Sequence, residues 1–181
     1  MNSNAEAVID DFTFLEERDR LQLLLEFSEQ LPALDSRFGD NPELLERVEE
    51  CQSPVFIAVE GSPERVLLHF SAPQEAPTTR GFASVLNAAL NGQSAQEILD
   101  LPDDFPSMLG LDRLISPLRV RGMRGMLARI KRKTAEIAAA GRHYPGGHHR
   151  ARLSCPETAP QSLGHHPCPF WHRRQATRRR G

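Results

Sequence analysis

No apolar run in this 181-residue chain approaches the roughly 20 residues that a membrane-spanning helix needs. Met1 to Asp11 is acidic and lacks the basic-then-apolar order of a secretory signal. The expectation is a cytoplasmic protein with no membrane partner. Aromatic residues are scarce apart from phenylalanine: one Trp and one Tyr against nine Phe. Three cysteines do not make a disulfide framework. The absence of a Cys-x-x-Cys pair excludes a thioredoxin-like oxidoreductase. Residues 1–140 contain no repeat, no glycine-rich phosphate loop and no cluster with metal-ligand spacing. Their single histidine, His69, leaves a cysteine hydrolase without an evident base.

Charge is unevenly placed. Residues 1–140 carry 14 Lys and Arg against 23 Asp and Glu, whereas 141–181 carry eight Arg against one Glu. An acidic body argues against nucleic-acid binding by the domain itself. The composition divides the chain into a domain over 1–140 and a basic Gly/Pro/His/Arg-rich tail over 141–181, which reads as disordered. Cys155, His165, His166, Cys168 and His172 in the tail fit no compact zinc site.

Periodicity predicts a helix from Phe12 to Leu31, ended by Leu31-Pro32. Asn41-Pro42 opens a short helix through Val48. Two strands follow, Val55–Val59 and Arg65–Phe70, joined by a turn over Glu60-Gly61-Ser62-Pro63. The second is almost continuously apolar, which predicts cover on more than one face or a central place. Thr78–Leu90 reads as a helix burying Phe82, Val85, Leu86 and Ala89, stopped by Asn91-Gly92. Ser94-Ala95-Gln96-Glu97 matches a capping box, and Asp103–Leu109 reads as another short helix. Gly122–Ala140 is the last long helix, with Gly122 and Gly125 near its start. The sum is an α+β fold, a small antiparallel sheet packed against helices.

Cys51 is the only cysteine in the first 154 residues, between the Asn41–Val48 segment and the Val55 strand. A lone thiol there is either core packing or a loop nucleophile. As a nucleophile it needs only partial ionisation and access to a sulfur donor.

Further residues bear on that choice. Cys51-Gln52-Ser53 followed by Val55-Phe56-Ile57, then Arg80-Gly81-Phe82, Asn91-Gly92 and Leu109-Gly110-Leu111, recur in order with Ser116-Pro117-Leu118-Arg119-Val120-Arg121-Gly122. Over about Phe12 to Ile137 this pattern resembles the SufE family of sulfur acceptors. The resemblance implies a SufE/IscU-like fold, shared with the U-type cluster scaffolds. It implies a pyridoxal-phosphate-dependent cysteine desulfurase of the SufS or CsdA kind as partner, which the protein stimulates. Its persulfide sulfur passes to Cys51 and onward to a downstream acceptor or cluster scaffold for iron–sulfur cluster assembly. No cofactor belongs to the protein itself. The resemblance maps the essential cysteine to Cys51, the closing-motif arginine to Arg119 and a loop carboxylate to Glu75. Gln52 and Ser53 complete the loop signature, where they would hold the loop or orient the thiol by hydrogen bonds. Arg119 suits either the Cys51 thiolate or a partner carboxylate.

One departure matters. The family motif commonly has Gly before the cysteine, and here the residue is Glu50. The loop must then take ordinary backbone angles or hold Glu50 strained. A carboxylate beside the thiol also raises its pKa. A docking regulator of a desulfurase that does not relay sulfur is therefore the competing reading. A U-type scaffold fits poorly, because such scaffolds use several cysteines. The basic run Arg124, Arg129, Lys131, Arg132 and Lys133 reads as a solvated face, and His69 as a structural histidine.

Overall fold

The structure, a computed structural model, describes residues 1–142. The chain opens with α1 (Ser3–Phe14) and α2 (Glu17–Gln30), followed by a short α3 (Arg37–Asp40) and a 3₁₀ turn (Pro42–Leu44). A two-residue β1 (Glu46–Arg47) precedes the hairpin β2 (Phe56–Ser62) and β3 (Arg65–Ser71). Helices α4 (Pro77–Leu90), α5 (Ala95–Leu99), α6 (Phe105–Met108) and α7 (Pro117–Arg142) complete the order. The sheet is antiparallel throughout, in the order β1-β2-β3. This is the expected α+β architecture. No described helix is long and apolar enough to cross a membrane.

The expected Phe12–Leu31 helix is α2, shorter at its start, and a separate helix not expected from the sequence, α1, precedes it and ends at Phe14. The Asn2 side chain caps α1 by accepting from the Ala5 N–H at 2.7 Å. Ala5, Val8 and Phe12 form its buried stripe, and Phe12 stacks on Phe27 of α2. Leu15 and Glu16 are extended and break the run. The freed Leu15 carbonyl accepts from Arg20 Nε at 3.1 Å. The Asn41–Val48 segment is a 3₁₀ turn and then β1, pairing Glu46 with Ile57 and Arg47 with Phe56. Two residues are too few to show an alternating pattern.

In β3, Val66, Leu68 and Phe70 point into the core and Leu67 and His69 point away. It is an edge strand, and β2 holds the central place. Its outer face is also partly covered, since Phe38 of α3 packs on His69, ring centroids 4.9 Å apart. His69 Nε2 lies 2.9 Å from Glu60 Oε1, as suits a structural histidine. Pairing runs to Ser62–Arg65, so the turn is centred on Pro63-Glu64, two residues beyond the expected Glu60–Pro63 turn.

Helix α4 is the centre of the packing. It buries Phe82, Val85, Leu86 and Ala89 as expected, and lies against α2, β3 and α7. The Arg80-Gly81-Phe82 element is structural. Arg80 donates to the carbonyls of Ser28 at 2.8 Å and Leu31 at 3.4 Å, which the end of α2 leaves without helical partners, and to the Ala72 carbonyl after β3 at 2.9 Å. Gly81 admits the backbone of α2, since a Cβ there would lie 2.4 Å from the Leu24 carbonyl oxygen. The capping box at Ser94 and Glu97 is present at the start of α5.

Helix α7 starts at Pro117, five residues before its expected start at Gly122, with Pro at the first position where no N–H is needed. Gly122 and Gly125 thus lie within the helix. It also runs past residue 140, where Gly141 abuts Pro63. The remainder of the expected tail, with its Cys and His residues, lies outside the described residues.

Candidate functional site

The loop bearing Cys51 is pinched at its neck. Val48 and Val55 are both fully buried, and the Val48 N–H donates to the Val55 carbonyl at 2.9 Å. Inside the neck the Cys51 N–H donates to the Val48 carbonyl at 3.2 Å, closing a turn through Glu49 and Glu50. The side chains between are small or polar, so the loop lies on the surface rather than in the core. It lies across α7 at the two glycines. A Cβ on Gly122 would meet Cys51 Sγ at 3.0 Å, and one on Gly125 would meet the Glu50 carboxyl at 2.8 Å. The glycine of the closing motif therefore makes room for the thiol.

Beside the thiol is a cavity of about 200 Å³. Cys51, Gln52, Ser53, Glu75 and Arg119 all line it. Three separated stretches converge there: the loop, the start of α4 with Pro77, Thr78 and Thr79, and the first turns of α7. Phe82 and Met126 supply apolar wall. Arg119 and Glu75 are exposed, and Arg119 donates to Thr78 Oγ1 at 3.4 Å.

Cys51 is half-buried, and its pKa is pushed up to about 11. Loss of hydration is the largest cause; Glu50 adds to it and Arg129 opposes it. At neutral pH about one thiol in ten thousand is ionised. Alkylation of Cys51 by a neutral reagent should therefore still climb tenfold per pH unit at pH 10, whereas a solvated thiol levels off near its own pKa of about 8.5. A plateau by pH 9, in rates mapped to the Cys51 peptide, would contradict this burial. The fold should also lose stability as pH rises from 9.0 toward about 11, because the unfolded thiol ionises there and the folded one does not.

The loop is held differently from expectation. Neither Gln52 nor Ser53 makes a side-chain hydrogen bond among the described residues. Arg129 does the holding. Its Nη1 donates to Glu50 Oε2 at 2.5 Å and to the Gly125 carbonyl at 3.3 Å, and its Nε donates to the Arg47 carbonyl at 3.2 Å. Arg129 also pairs with Glu46 at 3.3 Å. The cation acting on the resting thiol is thus Arg129, while Arg119 stands at the cavity wall. The basic run on α7 is not simply a solvated face. Arg132 pairs with Glu46 at 2.5 Å, Arg124 donates to Ser107 at 2.7 Å, and Lys131 engages Asp103 and the Leu101 carbonyl. A signal for Arg129 was present in the unusual Glu50, since a half-buried carboxylate requires a cation; which cation answers it depends on the fold. Among the described residues no group of three or more His, Cys, Asp or Glu is placed to hold a metal.

Residues 6–134 match the model of the family described as SufE: Fe-S metabolism associated domain. The chain belongs to the SufE family. It is 57% identical over 130 residues to a SufE-like protein of Mycobacterium tuberculosis, covering 71% of this chain and 90% of that one. It is 33% identical over 136 residues to a SufE-like protein of Rhizobium meliloti, covering 71% and 93%. The fold matches the solution structure of a Thermus thermophilus hypothetical protein with a TM-score of 0.65 at 32% identity, over 75% of this chain and 96% of that one. SufE membership carries a general role in iron–sulfur metabolism in partnership with a cysteine desulfurase.

Proposed function

We propose that Cys51 accepts sulfur from the persulfide of a pyridoxal-phosphate-dependent cysteine desulfurase, stimulates that enzyme, and relays the sulfur to iron–sulfur cluster assembly. The observation that carries this reading is the single thiol of the described domain, set beside a cavity walled by Gln52, Ser53, Glu75 and Arg119. The Cys51 thiolate attacks the outer sulfur of the donor persulfide. A new S–S bond forms, the donor S–S bond breaks, and the donor thiolate leaves with the electron pair and takes up the proton Cys51 released. No external oxidant or reductant is needed. A second thiolate, on the downstream acceptor, repeats the exchange.

The raised thiol pKa leaves Cys51 a weak nucleophile at rest. Reaction then requires Cys51 to leave the cavity at the partner interface, where a longer side chain such as Cys-S-SH is also kept from bulk water. The reaction is proposed for the cytosol, where free thiols persist. The test is mass spectrometry of the full chain after incubation with desulfurase and cysteine. The expected result is addition of one sulfur atom mapping to the Cys51 peptide; an unmodified Cys51 peptide beside an active desulfurase defeats the reading.

The Glu50 carboxylate and the high thiol pKa favour one second reading, a regulator that docks on the desulfurase without accepting sulfur. Replacement of Cys51 separates the two.

A further inference from the structure

We propose that the Glu50–Arg129 ion pair is a latch that holds the Cys51 loop against α7 and must open before the sulfur can leave its cavity. Its functional meaning rests on the sulfur-acceptor reading above; its physical content does not.

Glu50 precedes the reactive cysteine, so whatever holds its side chain holds the thiol's backbone. The carboxylate lies over Gly125 as the thiol lies over Gly122, two clearings on one face of α7. Arg129 reaches across from the next turn. It bridges both ends of the loop's first half, bonding the Arg47 carbonyl before the neck and Glu50 after it. The Arg129 side chain is 17% exposed and the Glu50 side chain 34%, so the pair is shielded but not sealed from water. Apart from Glu49, whose exposed carboxylate pairs with Arg47 at 3.6 Å, no other side chain among the described residues ties the loop to the body. Backbone bonds add only the neck and the one turn. Breaking one ion pair thus frees the segment, while the buried Val48 and Val55 keep its ends anchored.

The groups facing Glu50 and Cys51 fix what else a variant changes. Arg129 and Glu46 are the nearby charges from α7 and β1. Removing Glu50 lowers the thiol's ionisation cost, and removing Arg129 raises it. Charge effects on the thiol therefore have opposite signs in the two variants, whereas loop release has the same sign in both.

The test uses the full chain and no desulfurase, so its failure and that of the relay reading are distinguishable. Amide hydrogen exchange of the Val48–Val55 segment reads loop opening. Protection there should fall about tenfold in Glu50→Gln and in Arg129→Gln, and no further in the double variant. Arg129→Lys should recover part of it. Alkylation of Cys51 at pH 8, mapped to its peptide because Cys155 and Cys168 also react, should be faster in Glu50→Gln than in Arg129→Gln. Wild-type protection in both single variants, additive losses in the double, or a lysine variant no better than the glutamine one would overturn the latch. Glu50→Gln alters only a surface loop, and decides the question even if Arg129→Gln fails to fold.

Discussion

Replacing Cys51 with Ser is expected to return the stimulated desulfurase to its rate without the SufE protein. The hydroxyl is nearly isosteric with the thiol, and the position is only half-buried, so the fold and the cavity should persist. What disappears is the nucleophile. An alcohol is far too weak an acid to supply an anion at neutral pH, and no sulfane sulfur can be held on it. The desulfurase persulfide then has no acceptor, and turnover stalls at the release of its sulfur. Addition of sulfur to the Cys51 peptide should vanish, while Cys155 and Cys168 remain to report any transfer to other thiols. Paired assays of alanine production and sulfur mapping check both halves. A Ser variant that still stimulates fully would establish the docking regulator and end the relay account.

The largest effect on stability is expected at Gly81, where alanine should cost about 3 kcal/mol. The added methyl would lie 2.4 Å from the Leu24 carbonyl oxygen and 3.0 Å from Leu24 Cγ and Cδ1. The leading obstacle is backbone, and it cannot retreat freely. Arg80 beside it already binds the carbonyls of Ser28 and Leu31, which clamps α2 onto α4. Alanine's better helix propensity returns at most about 1 kcal/mol. Gly122 makes the contrast. There the added methyl would meet the Cys51 sulfur at 3.0 Å, the end of a side chain on a surface loop, which can shift. Urea unfolding should therefore show a much lower midpoint for Gly81→Ala and a small change for Gly122→Ala. Equal midpoints for the two variants would mean that α2 and α4 are not in this close register.

Much of the framework was legible because it is local. The hairpin, the buried face of α4, the Ser94 capping box and the stop at Asn91-Gly92 each follow from residues within a few positions of one another. Helix α1 is legible in hindsight, since Ala5, Val8 and Phe12 keep the i, i+3, i+7 spacing of a helical stripe, but the segment is short and the cover for its stripe comes from α2 and α4. The start of α7 was misplaced because Ser116-Pro117 also reads as a motif and two glycines follow soon after. Near a helix start, Gly122 and Gly125 allow either close packing or a loose first turn; the structure shows close packing, with Cys51 and Glu50 as the partners that no local pattern names. The sequence offers Gln52 and Ser53 to hold the loop or orient the thiol; both line the cavity, and the side-chain bond that ties the loop to α7 comes from Arg129, 79 positions from Glu50.

By itself the order of residues determined the inventory: one thiol in the acidic body, a loop to carry it, and the strands and helices around that loop. Only the tertiary structure decided the condition of that thiol, half sheltered, harder to ionise than a solvated thiol, and influenced by Arg129 in preference to Arg119. The reason is that hydration loss and Coulomb forces follow distance in space. Chain spacing, which governs turns and helix faces, carries no information about which far-off cation arrives beside a given sulfur.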